Sequence, residues 1–227
     1  MNIFLFSLLL VVTLAGPDTD YDAEGSWGDD CAGTSQSPIN IETATDSEMD
    51  DDLLLNFGDT SYFYEKRKLT REVKMQHSDE DDYGSTYLWD TDGDESEWKV
   101  LQYHWHSPSE HTIDGKQFDA ELHVVHLGTG DNDGKLLVVG ILFDAVGAHN
   151  SDTIDFMDDF EWSNDDEGEK FDSDVGDLLH GMEDKRFYHY SGSLTTPPCS
   201  EIVTWNVMRE VQYMKHSDLV KLQGYLE

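Results

Sequence analysis

The sequence is short of basic residues, cysteine and long apolar runs, and each shortage removes something. Fourteen Lys and Arg stand against 49 Asp and Glu in 227 residues, a formal net charge of −35. Such a surface repels phosphate backbones and anionic headgroups, so nucleic acid and acidic membranes are poor partners. The same self-repulsion opposes compaction in dilute buffer and is relieved by salt, whose screening length falls from about 10 Å at 0.1 M to about 3 Å at 1 M. Three readings of the acidity follow: a salt-tolerant surface, a surface that gathers cations, or loops that keep the chain soluble. Two cysteines, Cys31 and Cys199, leave room for one intrachain disulfide at most. In an oxidising compartment two lone thiols pair, and the alternative is two separate buried thiols.

No apolar run reaches the roughly 18 residues of a membrane span. The N-terminal stretch MNIFLFSLLLVVTLAG is apolar from Ile3 to Ala15 and ends in small residues suited to cleavage after Ala15 or Gly16. It reads as a secretory signal over residues 1–15 followed by a single domain over 16–227, although only the free amine supplies its positive charge. A buried N-terminal strand is the alternative.

What is present is enough for a core: 37% hydrophobic and 11% aromatic residues. Short alternating or apolar runs cut by Gly, Asp and Asn give a β-rich texture. WKVLQYHWHS, FDAELHVVHLG, KLLVVGILFDAVG and EIVTWNVMREV read as strands, with Asp-Gly turn chemistry in GTGDNDGK. SDTIDFMDDF, SDVGDLLHGM and SDLVKLQGYL each begin with a Ser-Asp N-cap and read as short helices. Acidic insertions TDSEMDDD, HSDEDDYG, TDGDESE and WSNDDEGE fall between strands. TDGDESE is no EF-hand, because Gly93 comes fourth rather than sixth from Asp90.

The densest chemistry lies in QYHWHSPSEH, residues 102–111. In a strand, side chains alternate between faces, so His104 and His106 point one way and Trp105 the other. AELHVVH offers His123, with Glu121 on its face and His126 on the opposite one. If the two strands lie antiparallel, the imidazoles of His104, His106 and His123 converge on one tetrahedral metal. Three neutral nitrogen ligands leave a fourth position for water, as in a catalytic zinc site. Spacing alone also allows an ordinary surface pair of histidines.

SQSPIN (35–40), QYHWHSPSEHTIDGK (102–116), AELHVVH (120–126) and YSGSLTTPPCSEIVTW (190–205) resemble, in order and separation, the signature segments of the alpha-class carbonic anhydrases. The resemblance runs from about Tyr21 to Glu227. It implies a mainly β, single-domain fold around a central, largely antiparallel twisted sheet with short surface helices. It also implies a disulfide between Cys31 and Cys199. The implied zinc ligands are His104, His106 and His123, with Gln102 and Glu121 accepting the outer N–H of His104 and His123. Thr195 matches the residue that orients the zinc-bound hydroxide and donates to Glu110. Thr196 matches a bicarbonate contact, and Val125, Val138, Leu194, Val203 and Trp205 match the apolar wall for carbon dioxide. Each of those apolar residues, taken alone, reads equally as core.

The implied function is zinc-dependent, reversible hydration of carbon dioxide to bicarbonate by a secreted lyase that primary sulfonamides block. Two departures qualify it. Lys74, with His77 three positions on, stands where rapid members carry a shuttle histidine, and a lysine near pKa 10.4 relays protons poorly at neutral pH. Family members also continue beyond the segment matching SDLVKLQGYLE, through a strand whose backbone carbonyl meets the ligand matching His106. A sheet edge shortened there would favour self-association. The alternative function is a non-catalytic, carbonic anhydrase-like extracellular protein of a matrix, filament or mineral. Retention of the whole ligand set argues against it.

Overall fold

The computed structural model describes residues 27, 29–43, 48–49, 54–56, 60–67, 72–77, 85–89, 95–146, 171–173, 182 and 186–226. The signal segment, the stretches SDTIDFMDDF and most of SDVGDLLHGM, and most of the acidic insertions lie outside them. The strands are β1 (Asn40–Ile41), β2 (Glu48–Met49), β3 (Leu54–Asn56), β4 (Thr60–Arg67), β5 (Glu72–His77), β6 (Ser85–Trp89), β7 (Glu95–His106) and β8 (Thr112–Ile113). They continue with β9 (Lys116–Gln117), β10 (Ala120–Gly128), β11 (Leu136–Val146), β12 (Phe171–Ser173), β13 (Phe187–Gly192), β14 (Val203–Met208) and β15 (Gln212–Lys215). Among the described residues one α-helix, α1 (His216–Leu226), covers the segment SDLVKLQGYL as its Ser-Asp start implies.

Twelve strands form one sheet in the order β12-β4-β5-β7-β10-β11-β14-β13-β2, with β15 beside β11 and β6 joining β3 to β7. The sheet is largely antiparallel, with an exception at β11. The first half of β11 pairs in parallel with β14 and its second half in parallel with β15. The chain thus runs twice along one edge of a long strand, interrupted by Arg209–Val211. Residue alternation carries no sign of strand direction, so this parallel step is not visible in sequence.

The two strands at the centre, β10 and β11, are buried on both faces, and their near-continuous apolar runs follow from that. On one face Val125, Val138, Leu142, Leu194, Val203, Val207 and Trp205 pack with Ile41, Phe118 and Tyr188. On the other, Trp105 meets Phe143 with ring centroids 4.9 Å apart.

His126 lies on this second face, after a register shift between Val125 and His126. It is fully buried, with Nε2 2.8 Å from Thr86 Oγ1 and Nδ1 3.3 Å from the Leu137 carbonyl. Burial lowers its pKa from 6.5 to about 4, against the backbone hydrogen bonds to Leu137 and Val124. The unfolded histidine binds a proton below pH 6.5 and the folded one only below about 4. Stability is therefore lost as pH falls through that window, by about 3 kcal/mol from this group. Unfolding midpoints of the wild type and His126→Gln, measured from pH 4 to 7, should show a shallower pH dependence in the variant. Parallel curves would contradict this assignment.

Candidate functional site

Alternation and register assemble the site. Gln102, His104 and His106 share one face of β7, and Glu121, His123 and Val125 share one face of β10. Antiparallel pairing sets His104 opposite His123 and His106 opposite Glu121, so the two trios face the same space. The three imidazole rings form a triangle with centroid separations of 4.9, 5.1 and 4.7 Å. All three residues are buried, and their ligand atoms lie within 4.8 Å of one another.

Hydrogen bonds choose which nitrogen of each ring faces inward. Gln102 Oε1 accepts from His104 Nδ1 at 3.0 Å, which turns Nε2 inward. Glu121 Oε1 accepts from His123 Nε2 at 2.8 Å, which leaves Nδ1. These two inward nitrogens are 3.2 Å apart. Two nitrogens each about 2.0–2.1 Å from one ion at a tetrahedral angle would be about 3.3 Å apart. His106 Nε2 is buried with no hydrogen-bond partner. Burial lowers the His106 pKa to about 4 against the pull of Glu110, so the ring is neutral at pH 7, as ligation requires. An orphaned buried nitrogen beside two lone pairs at ligand spacing fits a divalent ion. An all-imidazole set that leaves one corner open suits zinc.

Glu121 is the hub behind the ligands. Its Oε1 also takes His111 Nδ1 at 2.7 Å, and its Oε2 takes the backbone N–H of Glu110 and of His111, each at 2.8 Å. Burial alone would push this carboxyl up, but the charges and hydrogen bonds of His111 and His123 hold it well below its usual range. A permanent acceptor there fixes the His123 tautomer. Gly140 on β11 makes room for it, since a Cβ at that position would stand 3.1 Å from Glu121 Oε1. Glu121→Gln presents an amide donor to two ring donors and should lower metal affinity about 10–100-fold in a chelator competition. Unchanged affinity would contradict the role of the carboxylate.

Sequence reasoning assigned no role to His111, although it is the third histidine of QYHWHSPSEH. Its Nε2 lies 2.7 Å from the Tyr190 hydroxyl, and that hydroxyl lies 2.8 Å from Ser37 Oγ. Tyr190 and Ser37 are 79 and 153 residues from their partners, so no local pattern marks them.

Above the imidazoles opens a partly solvent-open hollow lined by His104, His123, Val125, Val138, Leu194, Thr195, Thr196 and Trp205. Val203 packs in the same apolar cluster but is not among these lining residues. Glu110 is buried with Oε1 3.6 Å from His106 Nδ1 and Oε2 3.9 Å from His123 Nδ1. Cys31 and Cys199 form the disulfide, with Cα atoms 5.0 Å apart. In the loop that follows the threonines, the Cys199 N–H donates to the Thr196 carbonyl at 2.9 Å. The backbone of β5 sets Lys74 opposite His104 and, on the other side of the same strand, His77 opposite Tyr62.

The model of the eukaryotic-type carbonic anhydrase family matches residues 22–227. Alpha carbonic anhydrase 3 of Arabidopsis thaliana is 33% identical over 202 residues, which cover 87% of this chain and 68% of that protein. A carbonic anhydrase of Nostoc is 35% identical over 183 residues, covering 78% of this chain and 63% of that one. The chain thus spans about two thirds of the length of these relatives. The alpha-carbonic anhydrase of Thermovibrio ammonificans, solved with the inhibitor sulfanilamide, superposes with a TM-score of 0.67 at 27% identity, covering 86% of this chain and 80% of that one. With a family model matched over nearly its whole length and a site built to match, the chain belongs to the eukaryotic-type, or alpha, carbonic anhydrases.

Proposed function

We propose that the protein is a zinc-dependent carbonic anhydrase that interconverts carbon dioxide and bicarbonate. The observation that carries this reading is the triangle of buried imidazoles with an orphaned His106 Nε2 at its edge. His104, His106 and His123 would hold the zinc. When bound, zinc supplies Lewis acidity that brings the pKa of a water from 15.7 to about 7, so that hydroxide is available near neutral pH.

The chain's own residues do the rest. Gln102 and Glu121 keep protons on the outer nitrogens of His104 and His123, which holds the inner lone pairs in place. As a carboxylate Glu110 would only accept, so the Thr195 hydroxyl would donate to it and leave its own oxygen to accept from the nucleophile. That orients a lone pair of the nucleophile at the substrate carbon. Val125, Val138, Leu194 and Trp205 give neutral carbon dioxide a dry wall, with Val203 in the same apolar cluster, and Thr196 takes an oxygen of bicarbonate. A lysine at position 74 in place of a histidine is a poor relay near neutral pH, so turnover should rise with added imidazole buffer.

Purified chain should carry one zinc, hydrate carbon dioxide, and lose that activity to sulfanilamide. Zinc-free or sulfonamide-insensitive protein would return the account to an extracellular structural role. No helix among the described residues is long and apolar enough to cross a membrane, and the disulfide suits an oxidising compartment. The disulfide supports secretion. For the net charge of −35 we propose a salt-tolerant surface. The thermal midpoint should then rise markedly between about 0.1 M and 2 M NaCl, as self-repulsion is screened. Equal midpoints would count against it.

A further inference from the structure

Ser37 stands where two chains of hydrogen bonds meet. Its N–H donates to Ser193 Oγ at 2.9 Å, and its own Oγ accepts the N–H of Ser193 at 3.1 Å. This buried, reciprocal pair joins residues 156 positions apart. The same Ser37 Oγ lies 2.8 Å from the Tyr190 hydroxyl. Gly192 makes room for the junction, because a Cβ there would run into Ser37 Oγ and the Tyr190 ring. Each branch then ends on the hollow above the imidazoles. Along the first, Tyr190 meets His111 Nε2, His111 Nδ1 meets Glu121 Oε1, and that oxygen takes His123 Nε2, in steps of 2.7, 2.7 and 2.8 Å. Along the second, Ser193 leads directly into Leu194, Thr195 and Thr196, and its carbonyl accepts Trp205 Nε1 at 3.1 Å. His123 at one end and the Leu194–Thr196 loop with Trp205 at the other line the same space.

We propose that Ser37 is a positioning residue that couples zinc retention to the placement of the threonine loop. The inference rests on the zinc-site reading above. Its physical ground is the number of groups that one hydroxyl satisfies. Ser37 itself is not among the residues that line the hollow, so its effect on the site passes through its two neighbours. Without Ser37 Oγ, the buried Ser193 N–H loses its acceptor and the Tyr190 hydroxyl keeps only His111. A buried polar group left unpaired is costly, so the backbone at Ser193 and the Tyr190 ring shift to recover partners. The first shift loosens the loop that carries Thr195 and Thr196. The second reaches the Glu121 carboxylate through His111 and disturbs the orientation of His123, since outer partners of a ligand set its geometry.

The test uses the full chain and three variants. Each is read by zinc competition against dipicolinate, by stopped-flow hydration of carbon dioxide on zinc-loaded protein, and by Tm. Tyr190→Phe cuts the first branch while keeping the ring stacked on Trp205, with centroids 6.2 Å apart. Ser193→Ala loosens the second branch, and Ser37→Ala cuts both. Ser37→Ala should weaken zinc binding about two- to tenfold, less than loss of a direct partner of a ligand, and lower turnover by a similar factor. Tyr190→Phe should lower zinc affinity by the larger factor, and Ser193→Ala should lower turnover by the larger factor. A purely structural role would lower Tm in all three and leave zinc affinity and turnover at wild-type values, which would overturn the proposal. So would a Ser37→Ala protein that loses only one of the two properties. If Ser37→Ala fails to fold, the other two decide: opposite orders of effect support the coupling, and the same order overturns it. Wild-type protein that binds no zinc would sink the functional reading and this inference with it. Zinc-loaded variants indistinguishable from the wild type would sink the inference alone.

Discussion

Replacing His123 by Ala is expected to strip zinc from the protein and lower carbon dioxide hydration by at least about a thousandfold. His123 supplies the inner nitrogen 3.2 Å from that of His104, and it is one of the two ring donors that hold Glu121. Its loss leaves two imidazoles, too few to compete with solvent for the ion, and it also unbalances the carboxylate behind them. The structure should survive, because the cluster of Val125, Val138, Leu142 and Trp205 beside it is untouched. Metal content by emission spectroscopy and hydration by stopped flow would check both halves. A His123→Ala protein that keeps stoichiometric zinc would contradict the ligand assignment.

The second large effect concerns the disulfide. Cys31 and Cys199 are 168 residues apart, so their bond restricts most of the unfolded chain. In the chain-entropy model that is worth about 5 kcal/mol, an upper figure, and removal of native disulfides costs about 2–5 kcal/mol. For a chain of this length, that is a fall of about 10 °C in Tm. The consequence reaches the site through the loop. Leu194 donates its N–H to the Ser200 carbonyl and Cys199 to that of Thr196, so Thr195 and Thr196 sit in a turn whose far end is the disulfide. From the N-terminal side Gln36 Nε2 donates to the Cys199 carbonyl at 3.3 Å and to Glu201 at 3.0 Å. Double replacement of both cysteines by Ser should lower Tm and kcat while leaving zinc content intact. An unchanged Tm would show that the bond adds nothing to what the Gln36 and Glu201 contacts already provide.

How much of this was legible in the sequence depends on the range of the signal. His104 and His106 were placed on one face because a strand repeats every two residues, and Glu121 joined His123 by the same rule. Bringing the two strands together needed a register that no local pattern states. The resemblance implied it, and His123 stands opposite His104. The helix at SDLVKLQGYL followed from a local Ser-Asp start, and α1 lies there. The parallel run of β14 and β15 along β11 left no trace, since alternation is blind to direction. His111 was in view but without a role, because Glu121, Tyr190 and Ser37, from 10 to 79 residues away in sequence, complete its meaning. Gly140 reads as an unremarkable apolar strand position until the Glu121 carboxylate is seen beside it.

The central claim is that three imidazoles hold one zinc and leave a corner open to solvent. X-ray absorption at the zinc edge of the purified full chain tests it most directly. The account predicts three nitrogen scatterers with imidazole multiple scattering and one further light atom, all at about 2.0–2.1 Å, with sulfanilamide replacing that fourth neighbour. A fourth protein ligand, a sulfur shell, or a spectrum that sulfanilamide leaves unchanged would contradict it.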